Sequence, residues 1–457
     1  MNKPVIVWFR QDLRLADNPA LRFAVESGKP LICLYVLDDE TPGGWRWGGA
    51  SRWWLHHSLT ALNRSLENRL VLRRGRTDAV LKSVIADSGA DYVVWNRCYE
   101  PFAVARDTAL KKQLSESGIA SESFNSALLF EPWEVKTKDG RPYRVFTPFW
   151  NALRALPEPG KPRPAPKNLR FHTRIDSEKL KDWSLLPAKP NWARGFDWEP
   201  GEANAHAALE DFLDEAAHYD KTRDLPAIAG TSRLSPHLHW GEISPREAWH
   251  ALRGHKTNGA QTFLKELGWR EFCAQLLFHN PALPDTPLDA RFAKFPFRKD
   301  ARQLRAWTQG QTGIPIVDAG MRQLWQTGWM HNRVRMIVAS FLIKHQLIDW
   351  REGERWFWDT LVDADLANNA ANWQWVAGCG ADAAPFFRIF NPVLQGEKFD
   401  ADGSYVRRFV PELKNMPAKF LHRPWDAPQP PPDYPAPIVD LALGRTRALA
   451  AFKALNA

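Results

Sequence analysis

The chain has 457 residues, 44% of them hydrophobic and 25% charged, and 61 Lys+Arg against 52 Asp+Glu leave a formal net charge of +9. That length exceeds what one hydrophobic core usually organises, so two domains are expected. The 23 tryptophans exclude a disordered chain, and the absence of any run of roughly 18 apolar residues excludes a helical membrane protein. The start, MNKPVIVWFRQDLRL, places charges where a signal peptide needs its apolar stretch. Cys33, Cys98, Cys273 and Cys379 lie far apart, with no CxxC, zinc spacing or disulfide framework. A reduced cytosol is the expected compartment.

In chain order, PVIVWF, PLICLYVLD, RLVLRRG and DYVVWN are apolar runs of strand length. Between them lie helical patterns such as SRWWLHHSLTALNRSL and DAVLKSVIADSG. Strands alternating with helices predict a parallel sheet covered on both faces, a Rossmann-like α/β domain over residues 1–130. No GxGxxG follows the first strand, so the sheet carries no dinucleotide fingerprint. From 131 to 200 the proline-rich PEPGKPRPAPKN and LLPAKPNW read as a long interdomain linker. Residues 201–457 are helical almost throughout and form a larger all-α domain.

Charge by region is more informative than the total. Residues 1–200 hold 31 basic and 23 acidic side chains and residues 201–457 hold 30 and 29, yet residues 221–340 alone hold 17 against 9. That local excess is compatible with a face prepared for a polyanion or with an ordinary solvated surface.

Four segments of the helical region carry more polar chemistry than a core needs. GTSRLSPHLHWGEISPRE places Thr231, Ser232, Arg233 and Ser235 at a predicted helix start. Hydroxyls and a guanidinium there suit a phosphate, although helix capping is the plainer account of this segment alone. In FLKELGWREFCAQLLF, Glu266, Trp269 and Arg270 share one helix face and suit a planar polar ligand; a surface ion pair beside a core indole is the alternative. GWMHNRVRMIVASFL groups Asn332, Arg333, Arg335 and Met336. LVDADLANNAANWQW holds Asp363, Asp365, Asn368, Asn369 and Asn372 before Trp373 and Trp375, a row too polar to bury without partners. No EF-hand spacing or HExxH occurs, so no metal site is expected.

Together with WFRQDLRLADNPAL, TGIPIVDAGMRQLWQTGWMHNRVRMIVASFLIK, DWREGERWFWDTLVDADLANNAANWQW and RIFNPVLQGEKFD, these segments resemble the photolyase/cryptochrome family in order from residue 5 to about 425. Within it the chain resembles the class I cyclobutane pyrimidine dimer photolyases. The resemblance implies light-dependent repair by reduced FAD held in the helical domain, on DNA containing pyrimidine dimers, by a monomer. It implies that Tyr219, Thr231, Ser232, Arg233, Leu234 and Ser235 hold the FAD phosphates and ribityl chain. Glu266, Arg270, Asn332, Arg335, Asp363, Asp365 and Asn369 match further cofactor positions, Asn369 facing flavin N5. Glu266 matches the acid that hydrogen-bonds the dimer, Trp269 and Trp375 its aromatic walls, Met336 an apolar contact, with Asn332 and Asn369 beside them. Arg223, Arg270, Arg333 and Arg388 match arginines of the pocket or the DNA backbone. The alternative within the family is a cryptochrome-type blue-light photoreceptor; Trp269 and Met336 leave the pocket without the histidines expected of the (6-4) enzymes.

Two features depart from the family pattern. The resemblance implies a three-tryptophan relay, of which Trp373 and Trp350 match the proximal and middle members, but the distal position falls on Phe297. The relay then ends at Trp350 or leaves through a residue such as Trp307 or Trp356, and photoreduction is expected to weaken while repair survives. In NRCYEPFAVARD, Phe102 and Ala103 replace the Asn-Glu pair of folate-binding members. An antenna chromophore is therefore expected to be a deazaflavin or second flavin rather than a folate. Trp47, Arg52 and Trp54 are candidate lining residues, with core packing the simpler account of each.

Overall fold

A computed structural model describes residues 3–173, 175–383 and 387–455. The four apolar runs form β1 (Val5–Phe9), β2 (Leu31–Leu37), β3 (Leu70–Arg74) and β4 (Tyr92–Asn96), joined by β5 (Ala120–Phe124). All neighbours pair parallel, in the order β3-β2-β1-β4-β5. Every residue of β1 and β2 is buried, as expected of a sheet covered on both faces by α1 (Pro19–Glu26), α2 (Gly49–Ser65), α3 (Thr77–Ser88) and α4 (Pro101–Glu116). β5 has the sequence ASESF; as an edge strand it needs no apolar run, which is why composition gives no sign of it.

The proline-rich stretch after residue 131 is more than a connection. Residues Phe146–Ala155 form helix α5, whose Phe146, Phe149, Trp150 and Leu153 are buried. Those four recur at spacings of three and four, the period of an amphipathic helix, in a segment where the surrounding prolines predict only linker. Further on, Leu31 N bonds Arg170 O and His172 N bonds Leu31 O, so the same stretch runs back along β2.

The remainder is helical. The chain forms two compact units: Met1–Asn191, Trp198–Ala217 and Ser232–Pro281 make one, and Trp192–Asp197, His218–Thr231 and Ala282–Ala457 the other. The first therefore contains the long Asn258–His279 helix as well as the sheet. The second is built on the helices Pro315–Thr327, Asn332–Ser340, Trp350–Thr360 and Leu366–Ala377. Among the described residues no helix is long and apolar enough to cross a membrane, and all four cysteines are free thiols.

Candidate functional site

In the first unit the Asn258–His279 helix begins with Thr257 accepting from Ala260 N, and it carries Glu266, Trp269 and Arg270 to a half-buried surface. One face of the Trp269 ring is covered by Phe146 of α5, with centroids 3.6 Å apart and planes within 6°. This contact depends on close approach: a methyl at Gly268 would collide with the ring of Trp150 on the same helix α5. Glu266 lies one turn earlier on the same face. The guanidinium of Arg270 is turned to the protein, donating to Ala127 O at 2.5 Å and Leu238 O at 3.5 Å.

Sequence reading passes over Glu271, which is buried next to this group. Its carboxylate accepts from Leu129 N at 3.0 Å and Phe130 N at 3.2 Å. Burial pushes its pKa up to about 7, against the partial opposition of Arg270 and those amides.

The phosphate-type segment is split by the unit boundary. Tyr219 and Thr231 belong to the second unit, and Ser232, Arg233, Leu234 and Ser235 to the first. Leu234 is buried, Thr231 and Ser232 are half-buried, and Arg233 and Ser235 are exposed. Arg233 adopts a positive φ of 52° and lays its guanidinium over Trp198 at 4.0 Å. No carboxylate occurs from Ala229 to Ser235, so this donor set fits an anionic pyrophosphate.

In the second unit, Arg335 forms a two-pronged pair with buried Asp363 at 2.9 and 3.1 Å and also donates to Met330 O at 2.7 Å. Asp365 caps the Leu366–Ala377 helix through Asn368 N. One turn on, Asn369 donates Nδ2 to Glu354 O at 3.0 Å, which fixes the plane of its amide. Glu354 is 0% exposed, its carboxyl oxygens have no hydrogen-bond partner among the described residues, and burial raises its pKa well above the usual range. No motif in the sequence announces this buried carboxyl, whose backbone carbonyl is the one that Asn369 meets.

The cations of this unit are placed by local contacts. Arg333 pairs with Asp224 at 2.7 Å and approaches Met336 Sδ at 3.9 Å, while Asn332 is exposed at the first turn of its helix. His331 caps that helix by accepting from Arg333 N at 3.2 Å, and burial lowers its pKa to about 4, so it stays a neutral acceptor. Arg223 lies over the Tyr219 ring at 5.4 Å, and exposed Arg388 over half-buried Trp375 at 5.1 Å.

The aromatic relay residues are buried together. A methyl at Gly353 would strike the Trp373 indole, so this glycine lets the Leu366–Ala377 and Trp350–Thr360 helices close. Trp373 contacts Phe357 at 5.0 Å and Trp307 at 6.3 Å, and Trp307 is fully buried with its indole N–H on Val338 O. Arg298 pairs with Ile348, which places half-buried Phe297 beside the strand-like approach to Trp350. Trp325, 51% exposed, stacks on Trp356 at 6.1 Å.

The strand order reverses between β1 and β4, the place where such sheets bind ligands, and polar side chains gather there. Arg10 bonds Asp107 at 2.6 Å and Asn96 O, and Asn96 in turn bonds Asp12 at 2.5 Å. Arg10 and Arg106 both cover Trp8, at 4.5 and 4.7 Å. Trp54 is core, donating to buried Glu242 at 3.1 Å, and Arg52 is tied to Asp39 and Trp47 O.

Comparison with known proteins agrees with this geometry. Residues 5–167 match the family described as DNA photolyase, and residues 263–454 the FAD binding domain of DNA photolyase. A deoxyribodipyrimidine photo-lyase of Agrobacterium fabrum is 55% identical over 99% of this chain and 98% of its own. Cryptochrome-1 of Arabidopsis thaliana is 40% identical over 97% of this chain and 69% of its own. The crystal structure of a bacterial class III photolyase from Agrobacterium tumefaciens superposes with a TM-score of 0.96 at 55% identity, covering 100% of this chain and 98% of that one. That structure is described as a class III photolyase, and the class I assignment is not confirmed by these comparisons. With matches to both photolyase family models and a photo-lyase relative 55% identical over nearly its full length, the chain belongs to the photolyase/cryptochrome family.

Proposed function

We propose that this protein is a light-driven DNA repair enzyme that splits cyclobutane pyrimidine dimers, works as a monomer, and belongs with the class III photolyases. The class rests on 55% identity and a TM-score of 0.96 to a photolyase of that class. The observation that carries the substrate is the platform of Trp269: one ring face is sealed by Phe146, and Glu266 stands one turn away. Such a half-buried indole with a carboxyl beside it suits an extruded base that must be stacked and hydrogen-bonded on its edge. Base–aromatic stacking supplies roughly 1–3 kcal/mol per base, enough to offset the few kcal/mol that flipping costs.

FAD, bound by the helical region and reduced, supplies an electron on excitation by light. The protein's own residues prepare the rest. Thr231, Ser232, Arg233 and Ser235 bind the pyrophosphate, Tyr219 and Leu234 flank it, and the Arg335–Asp363 pair with Asp365 and Asn332 surrounds the ring system. Asn369 offers its amide to flavin N5 and carries no ionisable proton, so it holds that atom without exchanging one. Glu266 hydrogen-bonds the dimer where negative charge develops, Trp269 and Trp375 each offer an indole face, and Met336 fills space. Arg223, Arg333 and Arg388 contact phosphates, while the half-buried guanidinium of Arg270 positions the helix that bears Trp269. An antenna chromophore would be a deazaflavin or a second flavin, since Phe102 and Ala103 count against a folate.

The test is an absorption spectrum of the purified protein followed by illumination with a dimer-containing oligonucleotide. Flavin absorption with light-dependent recovery of thymine absorbance is expected. Flavin without that recovery would favour the photoreceptor reading, which the 40% identity to a plant cryptochrome keeps in view, and no flavin would refute both.

A further inference from the structure

From Ala290 to Thr308 the chain holds Arg291, Lys294, Arg298, Lys299, Arg302 and Arg305 against one acid, Asp300. All six cations are exposed. Arg291 is neutralised by Asp289 at 2.6 Å, and Asp300 is engaged in capping the Ala301–Thr308 helix through Gln303 N at 3.0 Å. Among the described residues, the other five cations pair with no carboxylate. Elsewhere in the same unit Arg322, Arg333, Arg335 and Arg351 each hold one. Five like charges within twelve residues repel one another, and a polyanion is the partner that relieves this.

The placement of the stretch selects the polyanion. Asp289 N bonds Cys379 O at 2.9 Å and Arg298 N bonds Leu347 O at 2.7 Å, so the stretch is pinned at its start and near its middle. Its Phe292 and Phe295 are buried and pack on Phe387 at 6.4 and 6.2 Å. The next residue, Arg388, covers Trp375. The start of the basic stretch therefore packs on the residue next to Arg388, which covers the aromatic wall assigned to the lesion. With its aromatic rings turned inward and its cations outward, it is built to meet backbone phosphates rather than base edges.

We propose that Lys294, Arg298, Lys299, Arg302 and Arg305 form a phosphate track for duplex DNA on one flank of the lesion; this rests on reading Trp375 and Arg388 as lesion-pocket residues. The experiment compares the flavin-loaded wild type with a variant carrying Lys294→Gln, Arg298→Gln, Lys299→Gln and Arg302→Gln. All four positions are exposed, and retained flavin absorption reports intact folding. Binding is measured from about 50 to about 200 mM salt on an undamaged duplex of about 25 base pairs and on a dimer-containing single-stranded pentamer. Each lost phosphate contact should flatten the salt slope by about 0.9, so that the wild-type advantage on the duplex shrinks about 3.5-fold per contact over that salt range. The pentamer should bind equally to both proteins.

An unchanged duplex slope would overturn the track and point to an acidic protein as the patch's partner. Equal weakening on duplex and pentamer would also overturn it, because the cations would then belong to the pocket. Failure of the wild type to repair any dimer would sink the lesion reading, while the slope on undamaged duplex still decides the track.

Discussion

Replacing Glu271 with glutamine removes a buried titration next to the proposed lesion platform. The carboxylate is 4% exposed and ties Leu129 and Phe130, in the loop after β5, to the helix that bears Trp269. Burial raises its pKa to about 7 in the folded protein, whereas a glutamate in the unfolded chain titrates near about 4.3. A raised folded value means the folded state holds the proton more tightly. Its stabilising contribution is therefore complete below about pH 4, declines as pH rises, and is lost above about pH 7. A shift of between two and three units at about 1.4 kcal/mol each amounts to about 3 kcal/mol. In Glu271→Gln the side chain is neutral throughout and keeps one carbonyl oxygen for the two amides. Near pH 4.5 the parent is itself a neutral acid, so the variant should lie within about 1 kcal/mol of it there, and it should exceed the parent near pH 8. The measurement is urea unfolding followed by circular dichroism across that range, read as the difference between the two proteins. Parallel stability–pH curves would refute the reasoning.

Phe146→Leu removes the ring behind Trp269; stacking worth about 0.5–1.5 kcal/mol predicts dimer affinity about 2- to 10-fold lower with the saturated repair rate unchanged. A lower saturated rate at unchanged affinity would contradict the positioning role. Phe297→Trp should speed flavin photoreduction, followed by transient absorption, and leave repair by chemically reduced protein unaltered. No gain would mean that electrons leave along the Trp373–Trp307 contact instead. Asp363→Ala strands the Arg335 guanidinium on Met330 O alone, which should cost about 2–4 kcal/mol and lower the flavin content of the purified protein. A variant with parental melting and full flavin would refute the pairing argument.

The four inner strands are readable from composition because a sheet buried on both faces must be apolar along its whole length; β5, at the edge, is free to be Ala-Ser-Glu-Ser-Phe and gives no signal. Helix α5 is obscured for another reason. Its Phe146, Phe149, Trp150 and Leu153 keep helical spacing, but they stand among prolines that weigh towards connection, and only the packing of Phe146 on Trp269 shows what the segment is for. Motif residues such as Glu266, Asn369 and Trp375 are legible because their chemistry recurs at fixed places in the chain. Glu271 and Glu354 are not, since nothing local separates a glutamate in a helix that meets solvent from one that does not. Arg270 shows the same limit from the other side: adjacent to Trp269 and charged, it reads as a ligand contact, yet its guanidinium is held by Ala127 O and Leu238 O. The sequence pattern therefore identifies which side chains can do chemistry, and burial decides which of them face a ligand. For Glu354 that decision carries a direct consequence. Its backbone carbonyl orients Asn369 while its carboxyl has no hydrogen-bond partner among the described residues, so Glu354→Gln should keep both the melting temperature and the flavin content of the parent; loss of either would show that the carboxyl itself matters.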